Sequence, residues 1–193
     1  MEFKKIQLNG FKSFAEKTNF LIENGLTGIV GPNGCGKSNI VESLRWVMGE
    51  TSAKSMRGSG MEDVIFSGTS NKASKNIAEV SIEVENKDKE GPIQYRELKQ
   101  IEVRRKIEKD KGSKFYINNK EVRARDAQMF FADLSTGAHS PSMISQGRIG
   151  ALVTAKPTDR RAILEEAAGI SGLHVRRHEA ELRLSAAENN LKR

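Results

Sequence analysis

Hydrophobic and polar positions along the chain repeat with the period of strands in some segments and with the period of helices in others. Strand spacing is found at residues 3–8, 19–22, 78–85, 94–108 and 114–123. The apolar run at residues 26–30 stops at Gly31, which predicts a buried strand that enters a loop. Asn118 and Asn119 predict a tight turn within the last strand segment.

Helical spacing begins at Lys37, where apolar residues recur every three or four positions until Gly49 can end the helix. Residues 126–134 and the stretch after Pro157 also predict helices. The last 20 residues contain a heptad-like stripe formed by Ala180, Leu184, Ala187 and Leu191. The stripe is typical of a coiled coil but covers only about two heptads, so an ordinary surface helix is the alternative.

Polar segments separate these elements. Residues 50–76 predict loop with a brief strand at 64–66, residues 86–92 predict a turn, and residues 135–150 predict a further loop. Strands and helices together predict an α/β fold.

Positive charge is concentrated in one segment. The net charge is +7, and residues 96–125 contain 11 Lys and Arg against 5 Asp and Glu. Because this segment also shows strand spacing, it predicts an antiparallel meander with one wet, positive face. Such a face favours a polyanionic partner, and a solubilising hairpin is the alternative.

Composition excludes several classes of protein. The single cysteine rules out a disulfide framework and predicts a reducing compartment such as the cytoplasm. No apolar run reaches the roughly 18 residues that a membrane span needs, and no signal peptide is visible, so we expect no membrane partner.

The strongest motif is the sequence GPNGCGKS at residues 31–38, which matches the phosphate-binding pattern G-x-x-x-x-G-K-[ST]. Glycines let backbone N–H groups turn toward a phosphate, and the following helix adds its positive end. Lys37 can bridge the β- and γ-phosphates of ATP, and the Ser38 hydroxyl can coordinate Mg²⁺. The predicted nucleotide-binding residues of this segment are Pro32, Asn33, Gly34, Cys35, Gly36, Lys37, Ser38 and Asn39. Cys35 is either a redox-sensing thiol or a small residue tolerated in a crowded loop.

Four stretches together resemble a known family. They are NGFKSFAEKTNF at 9–20, GPNGCGKSNIVESLRWVMGE at 31–50, SAKSMRGSGMEDVIFSGT at 52–69 and ISQGRI at 144–149. In this order and spacing they resemble the N-terminal half of the ATPase head of structural maintenance of chromosomes (SMC) proteins, most closely the bacterial form. The resemblance implies an ABC-type P-loop ATPase head lobe with an antiparallel β subdomain and the start of a coiled-coil helix. It implies a head lobe at residues 1–158 and a helical region at 159–193.

The resemblance also implies roles for single residues. Gln146 resembles the glutamine that contacts Mg²⁺ and the attacking water, and Arg57 resembles an arginine that reaches the nucleotide. With Lys37 they form the implied catalytic set. Lys12, Ser13 and Asp63 resemble residues that lie near the nucleotide. An amide and a guanidinium suit these tasks, because the amide both donates and accepts while the guanidinium pairs with phosphate in a bidentate manner.

In the same family the upper surface of the head contacts double-stranded DNA. Lys120, Arg123 and Arg125 are the implied contacts in this chain. Lys and Arg contacts of this kind bind phosphates without sequence preference and weaken with salt.

The resemblance further implies partners that complete the active site. They are the C-terminal half of the same head, a second SMC head in a homodimer, a kleisin subunit and DNA of the nucleoid, with a function in chromosome condensation and segregation. Two stretches only superficially resemble the remaining ATPase motifs. LSTGA at 134–138 lacks the second glycine of the signature loop, and AILEE at 162–166 continues with helical rather than strand spacing. We therefore expect the chain alone to be inactive as an ATPase.

Three alternatives share parts of this pattern. A transporter ATPase subunit would have the same phosphate loop, and a repair ATPase of the RecN or RecF kind would have the same head. A DNA-binding module that does not hydrolyse ATP is the third, and the intact Lys37, Ser38 and Gln146 argue against it.

Overall fold

A computed structural model describes the chain except for residues 88, 90–91, 135–142, 145–147, 169–170 and 192–193. The strands are β1 (Glu2–Asn9), β2 (Thr18–Leu21), β3 (Ile77–Glu85), β4 (Gln100–Glu108), β5 (Gly112–Ile117) and β6 (Lys120–Val122). The helices are α1 (Lys37–Val47), α2 (Ala124–Asp133), α3 (Arg148–Thr154), α4 (Pro157–Ala167) and α5 (Ser171–Leu191). Short 3₁₀ turns lie at Lys54–Met56, Met61–Val64 and Ile93–Tyr95.

The six strands form one antiparallel sheet in the order β2-β1-β3-β4-β5-β6. Alternation fixes its register, because one face of each strand must be buried. Ile82 of β3 lies opposite Ile6 of β1 and Val103 of β4, and all three side chains are buried. The core also contains Trp46 and Val47 from the end of α1.

Most predicted strands are confirmed, with shifts at their ends. β4 starts at Gln100 rather than residue 94, because a 3₁₀ turn follows Pro92. Asn118 and Asn119 both have positive φ, at 48° and 64°, as the predicted two-residue turn between β5 and β6 requires.

The predicted buried strand at residues 26–30 is wrong. The segment has no strand hydrogen bonding, and Leu26 and Val30 are 99% and 93% exposed. An isolated strand leaves its N–H and C=O groups unpaired, and none of the six strands pairs with this segment. We call residues 26–30 the open segment.

The basic segment forms the predicted antiparallel meander, and its charges are distributed over both faces. Arg105 points into the core, since it occupies the inward position between Val103 and Ile107 on β4. The outward positions of the same strand include Glu102 as well as Arg104. Positive and negative side chains are therefore mixed on this face.

The chain divides into two compact units, Met1–Phe130 and Phe131–Arg193. The second unit contains α3, α4 and α5. The AILEE stretch lies within α4, which confirms that it is helical. Within α5 the heptad positions Ala180, Leu184, Ala187 and Leu191 are exposed. Nearly all of the LSTGA stretch lies outside the described residues.

Candidate nucleotide-binding site

Lys37 and Ser38 form the first turn of α1, directly after the phosphate-binding loop. Gly36 precedes them with φ of 97°, a left-handed conformation that favours glycine. A Cβ at this position would also collide with the Ser13 hydroxyl and touch the Phe14 ring. The loop can therefore approach the residues that follow β1 only because position 36 lacks a side chain.

The Lys37 ammonium lies within the curve of the loop. Its Nζ donates to the carbonyl oxygens of Gly31 at 2.6 Å and Pro32 at 2.7 Å. The side chains of Pro32, Asn33 and Cys35 are exposed around it. This arrangement presents one fixed cation and the N-terminal end of α1 on the same side, as a bound phosphate requires.

A second segment, between β1 and β2, places Lys12 and Ser13 beside the loop. The Lys12 backbone has φ of 47°, and its N–H donates to the Val64 carbonyl at 2.7 Å. Asn39 Nδ2 donates to Ser13 Oγ at 2.9 Å, which ties this segment to the first turn of α1.

A third segment contributes Arg57, which ends the 3₁₀ turn Lys54–Met56 with φ of 55°. Its Nη2 donates to Asn39 Oδ1 at 2.9 Å. The guanidinium is thereby placed near the first turn of α1, and its side chain is still 59% exposed. The structure thus brings Ser13 and Arg57 together at Asn39.

Glu42 is part of this cluster, although the sequence pattern did not single it out. It lies on α1 one turn after Ser38, is only 8% exposed, and forms ion pairs with both Lys12 and Arg57. The signal was its spacing, because residues four apart share one face of a helix.

Asp63 has a different position from the other predicted residues. Its Oδ2 accepts from the backbone N–H groups of Ser59 at 2.6 Å and Gly60 at 2.9 Å, and from the Ser59 hydroxyl at 2.8 Å. These hydrogen bonds, that of Gly60 above all, lower the pKa of Asp63. The carboxylate thus caps the turn Met61–Val64. Its role as a nucleotide contact stays a prediction.

The remaining ligand predictions concern Gln146 and Mg²⁺. Gln146 lies outside the described residues. Among the residues that the structure describes, no group of three or more His, Cys, Asp or Glu could hold a metal ion. The Ser38 hydroxyl at the start of α1 is exposed and suits the hard oxygen coordination of Mg²⁺ with a bound nucleotide.

The opposite end of α1 is held by Arg105, which the sequence pattern also did not single out. Its Nη1 donates to the carbonyls of Trp46 at 2.8 Å and Glu50 at 2.7 Å. The guanidinium lies between the rings of Trp46 and Phe115, at 4.5 and 4.6 Å from their centroids. Burial lowers the pKa of Arg105 to about 10, which still leaves it charged at neutral pH. A cation here complements the negative end of the helix dipole.

The predicted DNA contacts lie at the edge of the sheet. All three are exposed: Lys120 begins β6, Arg123 lies between β6 and α2, and Arg125 lies in the first turn of α2. A groove of about 670 Å³ runs beside them, and its lining includes Tyr95 and Lys114. Its lining combines the cations of Lys114, Lys120 and Arg123 with two aromatic residues, Tyr95 and Phe115, and two carboxylates, Glu121 and Asp126.

No helix in the described part of the chain is both long and apolar enough to span a bilayer.

Comparison with known proteins places these features in a family. Residues 2–149 match the model of the RecF/RecN/SMC N terminal domain. The chain is 58% identical to the chromosome partition protein Smc of Cereibacter sphaeroides and 55% identical to that of Rhodopseudomonas palustris, in both cases over the whole chain. It spans 17% of the length of these two relatives.

Solved structures agree with the sequence matches. The Smc head of Pyrococcus furiosus with an extended coiled coil, bound to the C-terminal domain of ScpA, superposes with a TM-score of 0.80 at 31% identity. The match covers 99% of this chain and 48% of that one. A structure from work on ATP-driven dimerisation and DNA-stimulated activation of SMC ATPases superposes with a TM-score of 0.73, also at 31% identity, over 86% of this chain and 99% of that chain. With its phosphate-binding loop, its antiparallel sheet and these matches, the chain belongs to the RecF/RecN/SMC N-terminal domain family.

Proposed function

We propose that this chain is the ATP-binding N-terminal part of an SMC head that dimerises on ATP and acts on DNA in chromosome condensation and segregation. The observation that carries the proposal is the convergence of Lys12, Ser13 and Arg57 on Asn39 and Glu42 of α1. Two segments that are distant in sequence bring cations and polar groups to the start of a helix that already suits a phosphate. Lys37 and Ser38 then bind the phosphates and Mg²⁺.

The family model includes RecF and RecN repair ATPases, which are the second candidate. The identity of 58% to a chromosome partition protein over the whole chain favours the SMC function. The protein would act in the cytoplasm on the nucleoid.

The open segment supports the proposal that a C-terminal portion of the same protein completes the head. Leu26, Ile29 and Val30 are exposed immediately before the phosphate-binding loop. An exposed apolar segment beside a functional loop is typical of a surface that another segment covers. A further strand pairing with residues 26–30 would bury these side chains and bring the missing acidic residues to the nucleotide.

Gln146, which precedes α3 in the sequence, would act as the amide that orients Mg²⁺ and water. A second head would close the site, since solved SMC relatives are described with ATP-driven dimerisation. A kleisin partner is proposed because a relative is described as bound to the C-winged helix domain of ScpA.

ATP hydrolysis tests the nucleotide part of the proposal. The chain alone should bind ATP without turnover, and mixing it with the C-terminal portion of its parent protein should produce hydrolysis. Lys37→Ala in the mixture is the control that should abolish turnover. Robust hydrolysis by the isolated 193 residues would contradict the proposal.

DNA binding tests the surface around the groove. Arg123→Glu with Arg125→Glu should weaken duplex binding and reduce the salt slope by about 2, since each phosphate contact contributes about 0.9. The matched control reverses Lys17 and Lys75, which are exposed elsewhere in the same unit. Equal losses in both double variants would show that the effect is net charge rather than a defined contact surface.

A further inference from the structure

Glu42 is the only anion in a closed ring of contacts at the proposed nucleotide site. The ring runs from Glu42 to Lys12, through the neighbouring Ser13 to Asn39, and from Asn39 through Arg57 back to Glu42. Its members come from the loop after β1, from α1 and from the turn Lys54–Met56. The ring therefore joins three segments that are far apart in sequence.

The two carboxylate oxygens of Glu42 have different partners. Oε2 accepts from Lys12 Nζ, and Oε1 pairs with Arg57 Nε. The Glu42 side chain is 11% exposed, so these ion pairs are shielded from solvent on the carboxylate side. Each oxygen thus fixes one cation, and the carboxylate sets the distance between the two.

Lys12 and Arg57 need such a counter-ion. Both would carry positive charge side by side, and both have left-handed backbone conformations that few residues other than glycine adopt. Lys12 Nζ also donates to the Met56 carbonyl, directly before Arg57. Without the carboxylate, repulsion would separate the cations and release the two loops that carry them.

We propose that Glu42 is a positioning residue of the nucleotide site, which holds Lys12 and Arg57 in the arrangement that receives the nucleotide. The inference rests on the proposed ATP-binding function. Glu42 acts through the two cations and does not touch the nucleotide itself.

Whether removal of the Glu42 carboxylate weakens or tightens ATP binding distinguishes a positioning role from a direct effect of its charge. A carboxylate one turn from Ser38 repels the phosphates of ATP, so its removal by charge alone would tighten ATP binding. Positioning predicts the opposite result, because disordered cations must be ordered again when ATP binds.

The test is an ATP titration of the complete head, in which this chain is assembled with the proposed C-terminal portion of the same protein. Glu42→Gln should raise the Kd for ATP about tenfold, within the range of coupling between contacting residues. Glu42→Asp, which keeps the charge, should recover part of the affinity. In a background with Lys12→Met and Arg57→Ala, Glu42→Gln should no longer raise the Kd, since both of its targets are absent.

The matched control is Glu50→Gln, at the opposite end of α1. Glu50 is also buried and pairs with Arg45 at 3.3 Å. This variant should lower stability without changing the Kd for ATP. Thermal unfolding of every variant separates folding defects from binding defects, and Glu42→Asp carries the test if Glu42→Gln does not fold.

Two results would overturn the inference while leaving the proposed function in place. One is tighter ATP binding by Glu42→Gln, and the other is the same tenfold loss in the background that lacks both cations. If the unaltered protein does not bind ATP, the proposed function fails and the inference fails with it.

Discussion

Two apolar segments of similar sequence character have opposite structures in this protein. The open segment at residues 26–30 is exposed and has no strand, whereas β3 lies in the middle of the sheet with Val80, Ile82 and Val84 buried. Both patterns predict strands. The difference is that β3 has β1 and β4 on either side, while no strand of the sheet pairs with the open segment.

The comparison shows that apolar spacing only favours a strand. The strand forms where a neighbouring strand is available to pair with it. A strand needs a neighbour because its backbone groups must be hydrogen-bonded before its side chains can be buried. In this chain the unpaired apolar residues lead directly into the phosphate-binding loop. The location agrees with the proposal that a later part of the protein supplies the missing neighbour.

The largest expected effect concerns the paired segment. Ile82→Ala should lower the free energy of unfolding by about 3–4 kcal/mol, because Ile82 is fully buried between two strands. Ile29→Ala in the open segment is the control and should cost less than about 0.5 kcal/mol. Urea titration of the isolated chain measures both, and equal losses would remove the distinction between the two segments.

The next expected effect concerns the open segment, where a substitution should matter for assembly rather than for stability. Val30→Asp should leave the stability of the isolated chain nearly unchanged, since Val30 is exposed there. In assembly with the C-terminal portion the same change should weaken binding about 100-fold, because a charge would enter a newly buried surface. Calorimetric titration of the two portions measures the affinity. Unchanged affinity would show that the open segment stays open in the complete head.

A smaller effect is expected at the C-terminal end of α1. The open segment leads through the phosphate-binding loop into the start of this helix, and Arg105 holds its other end against the sheet. Arg105→Met should cost about 2 kcal/mol, because the carbonyls of Trp46 and Glu50 lose a charged donor. Arg104→Met is the matched control on the outward side of β4, where its ion pair with Glu79 is partly exposed. It should cost less than about 1 kcal/mol in urea titration, and a larger loss than that of Arg105→Met would contradict the assignment.

The smallest expected effect on stability concerns the turn Met61–Val64, which lies outside the sheet and is capped by Asp63. The hydrogen bonds to Asp63 lower its pKa in the folded state below the ordinary 3.8. Their stabilising effect is therefore complete above the unfolded pKa and is lost as pH falls through the folded pKa. As the pH is lowered through the pKa of Asp63, the unfolding temperature should fall slightly, and the Asp63→Asn variant should not show this fall. The same decrease in the variant would assign it to other carboxylates.

Sequence reasoning predicted much of the fold where one period was clear. β3 and the helix after the phosphate-binding loop were predicted nearly to their ends, and the Asn118 and Asn119 turn was confirmed. The pattern also contained signals that went unused. Arg105 interrupts an inward alternation of Ile101, Val103 and Ile107, and a charged residue at such a position indicates a buried ion or hydrogen-bond site.

The candidate site was predicted only where its residues are close together in sequence or are supplied by the resemblance. The phosphate-binding loop is local, so its residues follow directly from the order of glycines, Lys37 and Ser38. The resemblance supplied Lys12 and Arg57, and the structure places both side chains beside Glu42. Glu42 was missed because one acidic residue on a helix surface is ordinary until its partners are known.

The sequence by itself determined the local elements: the alternating strands, the amphipathic α1 and the loop that can receive a phosphate. Their physical basis is short-range, since it lies in periodicity, glycine conformations and the end of one helix. The tertiary structure alone decided which apolar runs are paired, which arginine is buried and which carboxylate joins Lys12 to Arg57. These outcomes depend on segments that are distant in sequence, and burial and ion pairing are properties of the neighbours that folding brings together.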